Sequence, residues 1–254
     1  MCKQLNMIFT MMSGSHLYGF PSENSDIDIR GVFIANTKDF LGLNKPLKVY
    51  SDARQISGEG EYDIILDEIG QFVHLLTKGN CNRLEQILSE PKQVYDVNCY
   101  DILRKKIAKK CIFADGLFAS YGGLAKSNYK KWIQSDKEFT AKKWLYIFRA
   151  LLAGRFTLEH GKIEPNILKL KKHYDVEVLN ELIELKKSRE DMEVVDATNQ
   201  YLKTVYKTQL ELFEEAYQQT SIPKKITEDV RETINNWLIE IRLHELKKSA
   251  FTTI

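Results

Sequence analysis

Near the start of the chain, a short apolar run stops at a turn of small residues. Residues Met7 to Met12 are followed directly by Ser13-Gly14-Ser15. A run of this length, ended by glycine and serine, predicts a buried strand that leads into a tight turn. A second run, from Ile27 to Ile34, opens with isoleucines that alternate with Asp26, Asp28 and Arg30. That alternation is typical of a half-buried strand, so the first part of the chain is predicted to contain a sheet.

A third strand and a helix are predicted farther along. Tyr62 to Leu66 forms the strand, in which Asp63 points to the face opposite Tyr62. The stretch before it is rich in turn residues and ends in Ser57-Gly58-Glu59-Gly60. The helix is predicted from apolar residues at the i, i+3, i+4 and i+7 positions, closed by a Gly-Asn pair: Ile69, Phe72, Val73, Leu76, Gly79 and Asn80.

Beyond Pro91 the sequence changes to long helical patterns with few breakers. Ala141 to His160 is dense in apolar residues and is followed by Gly161, a typical helix stop. Near the C-terminus, apolar residues repeat every three or four positions and predict a packing seam: Val230, Ile234, Trp237 and Ile241. The predicted fold class is α+β. A small mixed sheet occupies residues 1–90, and an α-helical bundle occupies residues 91–254.

The cysteines and histidines argue against a structural metal site or a disulfide framework. None of the 4 cysteines forms a C-x-x-C pair, and none of the 5 histidines falls at H-x-x-x-H spacing. The apolar run at the N-terminus is too short for the core of a signal peptide. No other run approaches the roughly 18 residues of a membrane span. We therefore expect a cytoplasmic protein that does not contact a membrane.

The net charge of +2 conceals an uneven distribution. Residues 1–90 hold 8 Lys+Arg against 12 Asp+Glu, residues 91–172 hold 18 against 7, and residues 173–254 hold 11 against 16. The middle segment therefore carries +11, and the segments on either side carry −4 and −5. The excess indicates either a surface that faces a polyanion or a set of solvated helix faces, and charge counts alone do not separate the two.

The residues with the clearest chemical meaning are Gly14-Ser15 and, after ten intervening residues, Asp26-Ile27-Asp28. Two carboxylates at i and i+2 of a strand share one face, about 6 to 7 Å apart. Such hard oxygen ligands suit Mg²⁺ or Mn²⁺. Backbone N–H groups and the Ser15 hydroxyl at the turn are suited to phosphate oxygens. A lone D-x-D is usually a solvated pair, but its fixed spacing from Gly-Ser points to a nucleotide triphosphate site.

This string resembles the signature of the polymerase β-type nucleotidyltransferases. With Tyr18-Gly19, Ser25 and Gly31-Val32 it is similar to the RNA-repair-associated branch found in bacteria and their viruses. Further stretches fit that branch, and together with the signature they cover most of residues 6 to 165. They are Asp39 to Leu43, Asp63, Lys78 to Asn82 with Glu85, Tyr121 to Lys131 and Arg149 to Gly161.

The resemblance implies phosphoryl transfer assisted by two metal ions. Asp26 and Asp28 would bridge the metals, and Asp63 would complete the site, although Asp63 is also one of several acidic residues between positions 59 and 68. The candidates for contact with the nucleotide are Gly14, Ser15, His16, Ser25, Lys142 and Arg149. His16 is equally consistent with a packed or exposed histidine, and Lys142 and Arg149 with a solvated helix face. Glu85 fits a structural hydrogen bond between the two regions at least as well as it fits a catalytic role.

The function implied is metal-dependent transfer of a nucleoside monophosphate from an NTP to a hydroxyl, with release of pyrophosphate. The positive middle segment favours an RNA 3′ end as the acceptor. Two alternatives remain. One is the same chemistry on a protein hydroxyl, as in antitoxin-type enzymes of the superfamily. The other is a catalytically idle module that binds nucleotide or RNA, although such a module has no need for three neighbouring acids.

Overall fold

A single five-stranded sheet forms the first layer of the protein. The computed structural model describes residues 5–43, 45–56, 60–135, 139–188 and 193–251. The strands are β1 (Asn6–Met12), β2 (Ile27–Ile34), β3 (Val49–Ile56), β4 (Gly60–Glu68) and β5 (Gln93–Val94). They lie in the order β3-β4-β2-β1-β5, with β2 and β4 parallel and the other neighbours antiparallel.

Helices make up most of the remaining chain, which confirms the predicted α+β class. The shorter ones are α1 (Gly14–Tyr18), α2 (Thr37–Leu41), α3 (Ile69–Leu76), α4 (Cys81–Leu88) and α5 (Val97–Ile102). The later ones are α6 (Ala114–Asn128), α7 (Ala141–His160), α8 (Ile167–Tyr174), α9 (Val178–Ser188), α10 (Asp196–Gln219) and α11 (Glu228–Phe251). In the ranges described, no helix combines the length and apolar content needed to cross a membrane.

Several elements match the sequence predictions closely. The strands β1 and β2 and the helix α3 lie where the apolar patterns place them. The helix α7 spans the predicted residues and ends at Gly161, whose φ is 65° and whose N–H donates to the Thr157 carbonyl. On α11, Ile234 is 3% exposed and its seam partners pack against the core. Burial of one face therefore determines α3 and α11, as their periodicity predicted, whereas the middle of α7 is buried on every side.

Two strands were not predicted. The strand β3 lies at the edge of the sheet, and most of its side chains face solvent, so it lacks the apolar alternation of a half-buried strand. The predicted turn at residues 57 to 59 lies outside the described residues. The strand β5 has only two residues and pairs with Phe9 and Thr10 of β1. The sheet therefore extends past residue 90, the predicted end of the first region.

One continuous apolar core joins the sheet to the helices. It contains Phe9 of β1 and Phe72 of α3 together with Phe148 of α7 and Phe213 of α10, all fully buried. Because these side chains belong to one cluster, the sheet and the helices α7 and α10 share a continuous core. This packing fixes the position of the β1–α1–β2 corner, where the candidate catalytic residues lie.

Candidate active site

The turn at α1 brings the backbone of the chain against a carboxylate of β2. The Ser13 N–H donates to the Asp28 carbonyl at 2.7 Å, and Gly14 has a φ of 57°. A Cβ built on Gly14 would lie 1.8 Å from Oδ2 of Asp28. Only glycine fits here, since a side chain would be strained at this φ and would also collide with the carboxylate. The requirement for glycine at position 14 therefore comes from the nearby carboxylate of Asp28.

Asp28 and Asp63 are partners in the parallel register of β2 and β4. Arg30, two residues along β2 from Asp28, points to the same face. Its Nη2 donates to Oδ1 of Asp28 at 2.7 Å and to Oδ2 of Asp63 at 2.9 Å, and its Nη1 donates to the Asp63 carbonyl at 2.8 Å. One positive group therefore lies between the two carboxylates.

The surroundings of Asp28 disfavour its ionised form. Burial raises the pKa of Asp28, Arg30 opposes that effect, and the nearby charges of Asp63 and Asp26 raise the pKa further. Asp26 itself is exposed and immediately precedes β2. Three negative groups thus act on one another at this corner of the sheet, and such an arrangement is stabilised by a cation.

The donor set at this corner fits a hard divalent cation. Carboxylate oxygens are the ligands that Mg²⁺ and Mn²⁺ prefer, and the gap between Asp28 and Asp63 already holds the cationic Arg30. Among the described residues, the three carboxylates are not gathered within 4.8 Å of one another. A metal ion bound by both Asp28 and Asp63 would therefore take over the role that Arg30 has in this structure.

Ser25 lies in a turn that the helical region holds in place. Its hydroxyl accepts hydrogen bonds from the Ser22 N–H at 2.9 Å and from Nζ of Lys186 at 2.7 Å. The Lys186 amine also donates to the Ser22 hydroxyl at 2.9 Å. Lys186 belongs to α9 and is fully buried. Because this turn immediately precedes Asp26, α9 helps to fix the start of β2.

His16 lines a cleft between the sheet and the helical region. The cleft encloses about 480 Å³ and is also lined by Glu90, Glu164 and Lys169. Nε2 of His16 is buried, and no hydrogen-bond partner for it occurs in the described part of the chain. His16 therefore lines the cleft, but this nitrogen is not exposed to solvent in it. Ser15 beside it is 6% exposed, and Lys142 is half-buried in the first turn of α7.

Arg149 is part of the interior. Its side chain is 1% exposed, and its Nη1 donates to Oε1 of Glu85 at 2.5 Å. The Tyr121 hydroxyl donates to the same oxygen at 3.0 Å, and the guanidinium lies 3.9 Å from the Tyr18 ring centroid. Burial acts to lower the pKa of Arg149, but the charge of Glu85 and the neighbouring Tyr18, Tyr121 and Cys81 together outweigh it, and the pKa is raised. Glu85 makes the kind of structural hydrogen bond considered for it, with Arg149 as its partner, and neither side chain is open to solvent.

Sequence reasoning did not single out Arg30 or Lys186 as site residues. Arg30 continues the alternation that begins at Asp26, so its place on the carboxylate face was available from the sequence. Lys186 is followed by Lys187 and resembles a solvated position on a helix. Its contact with Ser25 spans 161 positions, and no local pattern indicates a contact of that kind.

Comparison with known proteins places this geometry in a family. The chain is 28% identical over 219 residues to the uncharacterized protein MJ0002 of Methanocaldococcus jannaschii, covering 85% of this chain and 86% of that protein. It is 24% identical over 252 residues to the uncharacterized protein YcgL of Bacillus subtilis, covering 93% and 91%.

A solved structure also aligns with most of the chain. The crystal structure of a nucleotidyltransferase-like protein from Exiguobacterium sibiricum 255-15 aligns with a TM-score of 0.31 and 9% identity, over 84% of this chain and 69% of that one. The family model described as RNA repair pathway DNA polymerase beta family matches residues 2–240. Since this match spans nearly the whole sequence, the chain belongs to the RNA repair pathway DNA polymerase beta family.

Proposed function

We propose that this protein transfers a nucleoside monophosphate from an NTP to the 3′ hydroxyl of RNA and releases pyrophosphate, with Mg²⁺ or Mn²⁺ as the cofactor. Membership of a polymerase β-like family supports nucleotidyl transfer in general. The observation that carries the proposal is the opposed pair Asp28 and Asp63 beside the Gly14 turn, with Asp26 two residues away. An idle binding module would gain nothing from this concentration of negative charge.

The carboxylates would hold the metal ions and the turn would hold the nucleotide. When bound, the divalent cations would stabilise the charge on the attacking and leaving oxygens of the displacement. Asp28 is partly buried and carries the metal-binding charge next to the turn. The side chain of Asp63 is 47% exposed, which suits a residue that accepts the proton of an incoming hydroxyl. The Gly14–Ser15 backbone and the Ser15 hydroxyl would bind phosphate oxygens.

The choice of RNA as acceptor is supported by charge. Residues 91–172 carry an excess of eleven positive charges, and Lys130 and Lys131 in that segment are exposed. Exposed lysines attract the phosphate backbone of a nucleic acid whatever its sequence. The description of the family refers to an RNA repair pathway, which agrees with an RNA substrate.

The test is a labelling experiment with each α-labelled NTP, Mg²⁺ or Mn²⁺, and RNA. We expect label on RNA that has a free 3′ end and none on RNA whose terminal diol has been oxidised with periodate. Label on a polypeptide in the absence of RNA would replace the proposal with the protein-acceptor alternative. If neither RNA nor polypeptide becomes labelled, the proposal of nucleotidyl transfer is overturned.

A further inference from the structure

The end of α7 and the last turn of α8 bring two histidines into contact. Nε2 of His160 lies 3.2 Å from Nε2 of His173. Oε2 of Glu159 lies 3.8 Å from the same His160 nitrogen. Among the described residues, these three form the only group of three or more His, Cys, Asp or Glu whose ligand atoms all lie within 4.8 Å of one another. None of them lies on the elements that carry Asp28 and Asp63.

Neighbouring side chains hold both imidazoles in these positions. The Phe156 ring packs against both, with centroid distances of 4.5 Å to His160 and 5.3 Å to His173. The Tyr174 ring also packs against His173, with a centroid distance of 4.6 Å. Two histidines placed by aromatic contacts have less rotamer freedom to lose when they bind a ligand together.

Glu159 is also held in place, by contacts that leave it able to accept a further partner. Nε of Arg155 donates to its Oε1 at 2.7 Å, and the Tyr174 hydroxyl donates to its Oε2 at 2.6 Å. A carboxylate oxygen has two lone pairs, so Oε2 can bind a cation while it accepts the tyrosine hydrogen bond. Hydrogen bonds of this kind orient the carboxylate ligands of metal sites.

We propose that Glu159, His160 and His173 form a binding site for a divalent transition metal ion of the Zn²⁺ class. Two imidazole nitrogens and one carboxylate oxygen are a donor set that suits Zn²⁺, and they do not suit Mg²⁺. Two nitrogens bound to a tetrahedral Zn²⁺ at about 2.0 to 2.1 Å lie about 3.3 Å apart, close to the distance between the two Nε2 atoms. All three residues are exposed, so the fourth position is open to water.

The ion would connect two helices. His160 is the last residue of α7, and His173 precedes the last residue of α8. A ligand that binds the folded chain and not the unfolded chain raises the free energy of unfolding, so Zn²⁺ should stabilise this corner. The proposal does not depend on nucleotidyl transfer, since it uses other residues and another type of metal.

The experiment is calorimetric titration of the tag-free, metal-free full chain with ZnCl₂ and, separately, with MgCl₂. We expect one equivalent of Zn²⁺ to bind to Glu159, His160 and His173. At a hundredfold excess over Kd it should raise the unfolding temperature by on the order of 5 °C. His160→Ala and His173→Ala should each weaken binding by about 100-fold or more, and Tyr174→Phe by about 10- to 100-fold. His74→Ala, which removes an exposed histidine of α3, is the matched control and should bind as the wild type does.

Three outcomes would overturn the site. One is the absence of Zn²⁺ binding by the wild-type protein. The short distance between His160 and His173 would then be explained by a direct hydrogen bond between the two imidazoles. Another is unchanged Zn²⁺ affinity in the double variant His160→Ala/His173→Ala. The third is loss of Zn²⁺ binding in Asp28→Asn, which would place the ion at the carboxylates of the sheet. Retention of Zn²⁺ binding in Asp28→Asn would support the site, whatever that variant does to nucleotide transfer.

Discussion

Asp28 and Asp63 lie opposite each other on the parallel strands β2 and β4, and a single nitrogen of Arg30 bonds to both carboxylates. The contact neutralises part of the repulsion between two acids that share one face of the sheet. It also means that removal of one carboxylate leaves Arg30 paired with the other. Substitution at this site is therefore expected to affect chemistry more than folding.

Asp28→Asn should lower nucleotide transfer by at least about 1,000-fold, because an amide lacks the charge needed to hold a divalent cation. The unfolding temperature should change little, since Arg30 keeps its bonds to Asp63. Asp101→Asn, which alters an exposed acid paired with Lys105 on the surface, is the matched control. Transfer at the wild-type rate by a folded Asp28→Asn variant would show that the site is misassigned.

Gly14→Ala should be more damaging than Ser15→Ala. The new Cβ would collide with Oδ2 of Asp28, whereas loss of the hydroxyl removes one hydrogen bond, worth about 1 to 3 kcal/mol when its partner is charged. Gly161→Ala is the matched control, because Gly161 has a similar φ of 65° but nothing within 4 Å of the added Cβ. Thermal unfolding and NTP titration of the three variants measure the difference. Equal losses of thermal stability and NTP affinity in Gly14→Ala and Gly161→Ala would count against the contact with Asp28.

Breaking the buried pair of Glu85 and Arg149 should destabilise the fold strongly. Arg149→Met leaves the Glu85 carboxylate buried without its partner, and we expect the free energy of unfolding to fall by about 3 to 5 kcal/mol. The exposed pair of Lys105 and Asp101 is the control, and Lys105→Met should cost less than about 1 kcal/mol. Denaturant unfolding curves provide both values. Similar losses in the two variants would be inconsistent with a buried ion pair.

Three cysteines should be unreactive in the native protein. Burial raises the pKa values of the Cys81, Cys99 and Cys111 thiols to about 12. At pH 8 only about one thiol in 10,000 is then ionised, and the thiolate is the reactive form. Mass spectrometry after brief treatment with iodoacetamide should find these three unmodified in the folded chain and modified after denaturation. Modification of Cys81 under native conditions would contradict its burial.

Charge reversal at Lys130 and Lys131 should weaken RNA binding. If residues 91–172 contact RNA, log affinity should fall with log salt at about −0.7 per phosphate contacted, which gives a slope of about −2 to −4 for several contacts. Lys130→Glu/Lys131→Glu should flatten the slope and leave NTP affinity unchanged. Lys207→Glu/Lys225→Glu makes the same charge change at exposed lysines outside the segment. A slope near zero in the wild type would argue against an RNA acceptor.

The sequence alone predicted the elements whose residues carry their own local signal. The helix α3 buries one face, which imposes a period of about 3.6, and β2 begins with an alternation of period 2. The strand β1 and the helix α7 are buried on more than one side and were predicted from their dense apolar residues and the glycine after each. The spacing of Gly14-Ser15 from Asp26 and Asp28 indicated the polymerase β-type nucleotidyltransferases, and Tyr18-Gly19, Ser25 and Gly31-Val32 indicated the RNA-repair branch, which the match over residues 2–240 confirmed.

Only the tertiary structure decided which distant residues meet. The edge strand β3 was missed because its side chains face solvent and show no period. The bonds between Lys186 and Ser25, and between Arg149 and Glu85, join residues separated by 161 and 64 positions. The contact between His160 and His173 likewise requires α7 and α8 to fold against each other. The packing of helices on the sheet determines these pairs, and local sequence patterns do not encode that packing.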